Sequence, residues 1–126
     1  MEGGRAPLKT ASEILSIISN GRFFENIFNK DVDWDAELDA RDAVEFDMAW
    51  NSSYEKMNEM DPSENKVIRD IREFAFKQTF RITQNSELAG YTSDDFGLIS
   101  KAFENKVDIE FINGLWDSYL QGKFPN

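Results

Sequence analysis

The sequence has no histidine and no cysteine among its 126 residues. Without cysteine there can be no disulfide and no thiolate metal site. Without histidine the chain lacks the commonest general base, the commonest zinc ligand and the usual partner of a serine or cysteine nucleophile. Proline is rare, with three residues, and glycine numbers seven. The only Gly-Gly pair is Gly3-Gly4, and no phosphate-cradling Gly-x-x-x-x-Gly-Lys pattern occurs. No run is apolar and long enough for a signal peptide or a membrane span, since Ile14-Leu15 and Ile17-Ile18 are the longest near the start. These absences point to a cytoplasmic protein that is not an enzyme and needs no cofactor. Paired carboxylates could in principle do glycosidase-type chemistry, but nothing in the sequence singles out a pair.

What is present is aromatic residues and acid. Eleven Phe, three Trp and three Tyr supply enough burial for a folded core despite 30% charged residues. The length suits one domain, here residues 10–126 after a flexible lead over 1–9. The net charge of −10 is unevenly placed. Residues 1–30 carry net +1, residues 31–64 net −10 and residues 65–126 net −1. Such a chain should avoid nucleic acid, because phosphates repel it, and should attract basic surfaces or cations.

Read for periodicity, the chain is all-α, a compact single-domain bundle of five or six helices with no sustained β alternation. Thr10-x-x-Glu13 is a capping box, and Asn20-Gly21 ends the first helix. Phe23-Phe24-x-x-Ile27-Phe28 forms a second, short amphipathic stretch. One long helix is expected from about Asp35 to Met60, uninterrupted by Pro or Gly. Its stripe is Ala36, Ala40, Ala43, Phe46, Trp50, Tyr54 and Met57, with Asp39 and Asp47 inside it. A carboxylate at Asp47 would then need a partner such as an arginine from the next helix.

Asp61-Pro62-Ser63-Glu64 reads as the start of the next helix, running to about Thr83. That helix is apolar on two sides. It is therefore either central to the domain, or half of an interface through which Phe76 and Phe80 would form a homodimer. A turn over Ser86–Thr92 precedes a helix capped by Ser93, whose first turn would hold Asp94 and Asp95 for the macrodipole. The last helix begins near Asp108 and stops at Gly122. Gly97 and Gly114, inside helices, suggest close crossings.

Three readings compete for the acidic segment. Asp31, Asp33, Asp35, Glu37, Asp39 and Asp42 fall at the oxygen-ligand places of a twelve-residue calcium loop. Against it, Ala36 stands where the sharp turn needs glycine, and Asp42 is too short for bidentate ligation. A second reading is an acidic interaction module, or a face that only keeps the protein soluble. The third reading is a surface for a basic protein, with Asp31, Asp33, Asp35, Glu37, Asp42 and Glu45 as charges and Trp34 as anchor.

The C-terminal half adds a resemblance. Ser86-Glu87-Leu88-Ala89-Gly90-Tyr91, Ser93-Asp94-Asp95-Phe96, Leu115-Trp116, Tyr119, Gly122 and Pro125, spread over about 40 residues, resemble small acidic bacterial immunity proteins of polymorphic-toxin and contact-dependent inhibition systems. The resemblance implies neutralisation of one cognate toxin, often a nuclease, by occlusion of its active site.

Overall fold

The computed structural model describes residues 10–126, so the lead expected over 1–9 lies outside the described residues. Seven helices and no strand occur among them, which makes the chain all-α with more helices than the five or six expected. They are α1 (Ala11–Ile18), α2 (Phe23–Phe28), α3 (Trp34–Ala40), α4 (Val44–Met60), α5 (Lys66–Thr83), α6 (Ser86–Glu104) and α7 (Glu110–Leu120).

The spine is the antiparallel pair α5–α6. Only Gln84 and Asn85 join the two helices. Gln84 turns the chain at φ 58°, donating its N–H to the Phe80 carbonyl, and the Asn85 side chain caps α6 by accepting from the Leu88 N–H. Because Asn85 caps, Ser86–Thr92 is helix rather than the expected turn. Ser93, the expected cap, is instead buried inside α6 and donates its hydroxyl to the Arg72 carbonyl across the pair. Gly97 marks the same crossing, since a Cβ there would come within 2.8 Å of Arg72 Cδ. Gly114 has nothing within 4 Å of such an atom, so the close crossing expected there does not exist.

Around this spine α1 packs on both helices and α2 on α5, while α4 and α7 pack on α6 and on each other. The Thr10 capping box forms as read, with Glu13 answering the Thr10 N–H. Phe24, Ile27, Phe28, Phe96, Trp116 and Tyr119 form an aromatic-rich core. Leu120, beside Tyr119 at the end of α7, is half exposed. The face of α5 bearing Phe76 and Phe80 is not centrally buried: both rings are over a third exposed and stack on each other at 6.4 Å.

The expected long helix over 35–60 is broken. Arg41, Asp42 and Ala43 close a tight turn, with amide bonds reaching back three residues, and extended backbone at Ala43 redirects the chain into α4. No Pro or Gly forces this, so local propensity is overridden by a tertiary demand on Arg41. The break rotates the stripe. Ala36, Ala40 and Ala43 are exposed, as are Asp39 and Asp47, which therefore need no buried partner. Asp61 likewise does not start α5: it ends α4, and the α5 cap is Asn65, which accepts from the Ile68 N–H at 2.9 Å.

Asn65→Ala should therefore lower the unfolding free energy by about 1 kcal/mol in urea titrations, the usual loss for an N-cap. An Asn65→Ala protein as stable as the parent would show that α5 begins elsewhere.

Candidate functional site

One buried polar centre explains the break after α3. Asp95, in the middle of α6, has no exposure, and Arg41 retains only 6%. Arg41 donates Nη2 to Asp95 Oδ1 at 2.7 Å and Nη1 to Oδ2 at 2.8 Å, a bidentate pair. Trp50 Nε1 donates to Oδ1 at 2.8 Å, and the Tyr119 hydroxyl to Oδ2 at 2.6 Å. Four donors from α4, α7 and the α3–α4 turn thus converge on one carboxylate. The guanidinium is also enclosed by the rings of Phe46, Phe124 and Tyr91, at 4.7, 4.9 and 5.3 Å, and Nη1 reaches the Pro125 carbonyl at 3.4 Å.

Burial pushes the Arg41 guanidinium down, but the hydrogen bonds and charge of Asp95 outweigh it and hold it above its ordinary value. Burial, reinforced by the Asp95 charge, lifts the Tyr119 phenol well above its ordinary value. The macrodipole role expected for Asp95 is therefore wrong. Asp95, not Asp47, is the buried carboxylate paired with an arginine.

This centre fixes the corner on which the acids are displayed. α3 and α6 flank a hollow of about 180 Å³ lined by Asp35, Leu38, Asp39, Asp42, Glu87 and Tyr91. It shares Asp42 and Tyr91 with a neighbouring hollow of about 160 Å³ lined by Arg41, Asp42, Phe46, Asp47, Trp50, Asn51, Tyr91 and Asp94. That hollow shares Trp50, Asn51 and Asp94 with a cleft of about 480 Å³ between α4 and α6, bounded by Tyr54, Glu64, Arg72 and Lys101. The result is a groove, most acidic at the α3 end, where four carboxylates line the hollow and no base does. Towards the other end charges are paired: Arg72 binds Glu64 at 2.9 Å and Asp94 at 3.0 Å. Burial lifts the Asp94 carboxyl above its ordinary value against the pull of Arg72.

The sequence-derived site residues are divided by this geometry. Asp35 and Asp42 come together in the groove, where they are joined by Asp39, Asp47, Glu87 and Tyr91, which the sequence reading left out. Asp33 accepts from the Ala36 N–H as the cap of α3. Trp34 is half-buried, its ring 5.3 Å from Phe28 and 6.5 Å from Phe124, so it anchors α3 to the core. Glu37 accepts from the Asn126 side chain at 2.8 Å, and Asp31 and Glu45 are exposed outside the groove. The calcium-loop reading fails because residues 34–40 are α-helix, which points successive carboxylates around an axis rather than inward to one ion. Among the described residues no group of three acids could hold a metal ion, and no helix is long and apolar enough to cross a membrane. Glu87 and Tyr91 were within reach of sequence reasoning: once Ser86–Thr92 is helical, they share a face with Asp94 and Asp95.

The family described as Immunity protein PIM1 matches this chain over residues 13–126. No curated protein matches it.

Asp95→Ala would leave the Arg41 guanidinium buried and uncompensated, and should cost about 3–5 kcal/mol in chemical denaturation. Replacing both charges, as in Arg41→Met with Asp95→Leu, should recover much of that loss, since only a lone buried charge is so costly. Tyr119 carries a pH dependence of defined sign. Below about pH 10 both folded and unfolded chains keep the phenol proton. Above it the unfolded chain ionises first, so stability should fall as pH rises towards the raised folded value. Comparing urea midpoints of the parent and Tyr119→Phe on either side of about pH 10 checks this: the alkaline drop should shrink in the variant.

Proposed function

We propose, from the premise that the chain belongs to the Immunity protein PIM1 family, that it neutralises a basic toxin domain by covering it with the acidic groove. The family supplies the immunity role. The observation that carries the groove assignment is the hollow between α3 and α6, where Asp35, Asp39, Asp42 and Glu87 surround Tyr91 without an intervening base. Tyr91 is 40% exposed, yet its ring is held against Arg41. It is thus a rigid aromatic available to a partner, the type of residue that contributes most at interfaces.

Four carboxylates on a fixed corner attract a cationic surface at long range and steer its approach. Asp31 and Glu45 extend that field on either side of α3. Asp33, Trp34 and Glu37 contribute mainly by holding α3 in place through the cap, the aromatic contacts and the Asn126 bond. A nuclease is the toxin class that suits this surface best, because an active site built for phosphates presents cations to a row of carboxylates. Action of this kind is stoichiometric occlusion in the cytoplasm, with no reaction catalysed by the chain. A second copy could still dock on Phe76 and Phe80, since those rings lie outside the acidic hollow.

The test is charge reversal. Asp35→Lys with Asp42→Lys should leave the fold intact, because both side chains are exposed. It should slow association with the cognate toxin, flatten its salt dependence and abolish protection in cells that co-express the toxin. Full protection by the reversed variant would exclude the groove as the toxin site.

A further inference from the structure

The middle of the groove has three aromatic rings in its wall. Phe46, Trp50 and Tyr91 line the hollow of about 160 Å³, and the carboxylates of Asp42, Asp47 and Asp94 stand around it. Asp94 is engaged by Arg72 at 3.0 Å. The carboxylates of Asp42 and Asp47 make no hydrogen bond or ion pair among the described residues. The one base in the wall is Arg41, whose charge Asp95 holds in a bidentate pair beneath the surface. The hollow therefore combines aromatic faces, two free carboxylates and no free cation. It is also small: sites for small molecules usually measure roughly 300–1,000 Å³, whereas about 160 Å³ suits a single side chain.

We infer that this hollow is a socket for one arginine side chain of the toxin, an inference that rests on the toxin-binding reading above. A cation against aromatic rings gains most when it is desolvated, and unpaired carboxylates at the rim supply its hydrogen-bond acceptors. Guanidinium suits the site better than ammonium, because it is planar, weakly hydrated and able to stack while it donates in its own plane. The protein already shows the fit from the inside: Arg41 packs its guanidinium against Phe46 and Tyr91, at 4.7 and 5.3 Å from the ring centroids. The neighbouring 480 Å³ cleft does not carry the same inference, since its carboxylates Glu64 and Asp94 are both taken by Arg72.

The socket can be tested without the toxin. The full chain is titrated with N-acetyl-arginine amide, and with the lysine and citrulline amides as controls, while NMR follows the Trp50 indole N–H. Arginine amide should give a saturable shift, lysine amide a weaker one and neutral citrulline amide none. Asp42→Asn with Asp47→Asn should weaken the arginine response several-fold while the indole, bonded to Asp95, keeps its folded position. No saturable response to arginine, or an equal response to citrulline, overturns the socket; an equal response to lysine overturns the guanidinium assignment. A neutralisation assay separates this from the wider reading. If the parent protects against its toxin and Asp42→Asn with Asp47→Asn protects equally well, the socket is not what holds the toxin and the groove reading stands. If the parent itself gives no protection, the toxin reading falls and takes the socket with it.

Discussion

Taking a carboxylate and a guanidinium out of water costs several kcal/mol for each ion, and the cost is offset only when the two are closely paired and supported by further hydrogen bonds. Asp95 and Arg41 form such a pair, with partners drawn from distant parts of the chain. Arg41 comes from the turn after α3, Trp50 from α4, Tyr119 from α7 and the Pro125 carbonyl from the C-terminal tail, all gathered about one carboxylate of α6. Because an incomplete set would leave a buried charge, these elements are bound to one arrangement. The pair need not add much net stability to do this; what it defines is the angle between α3 and α4.

That angle determines the surface. A straight helix over 35–60 would have turned Asp39 and Asp47 towards the core. The break turns both outward and brings Asp35, Asp39 and Asp42 opposite Glu87 on α6. The same buried pair draws Tyr91 and Phe46 into place, since both rings lie against the Arg41 guanidinium. A neutralised ion pair thus underlies a strongly negative groove, and the acids at the surface are oriented by a charge that no partner touches. For the proposed encounter with a basic partner, a rigid corner reduces the ordering cost.

Much of the fold was legible because it follows local rules. The Thr10 capping box, the helix that follows it and the body of α5 are fixed by spacing and caps. The errors share a different cause. Asp61-Pro62 and Ser93-Asp94-Asp95 both look like helix starts, yet Asn65 and Asn85 are the caps, and choosing between adjacent cap candidates depends on packing. The break at Arg41 has no local signature at all, because its cause is Asp95, fifty-four residues away. Consequently the sequence located the acidic segment but misassigned its faces. Trp34 and Glu37 hold α3 down, and Glu87 and Tyr91 reach the groove because Ser86–Thr92 is helix rather than turn. The residues that resemble immunity proteins include Asp95, Tyr91, Tyr119 and Pro125, groups that surround Arg41, so the resemblance is to the buried centre more than to the acidic groove.

Hydrogen–deuterium exchange of the full chain, alone and in complex with its cognate toxin, tests most directly whether the toxin is held on the groove between α3, α4 and α6. New protection should concentrate in residues 35–50 and 87–94, with the Phe76–Phe80 face of α5 unchanged. Protection centred on that α5 face, with residues 35–50 exchanging as they do in the free protein, would contradict it.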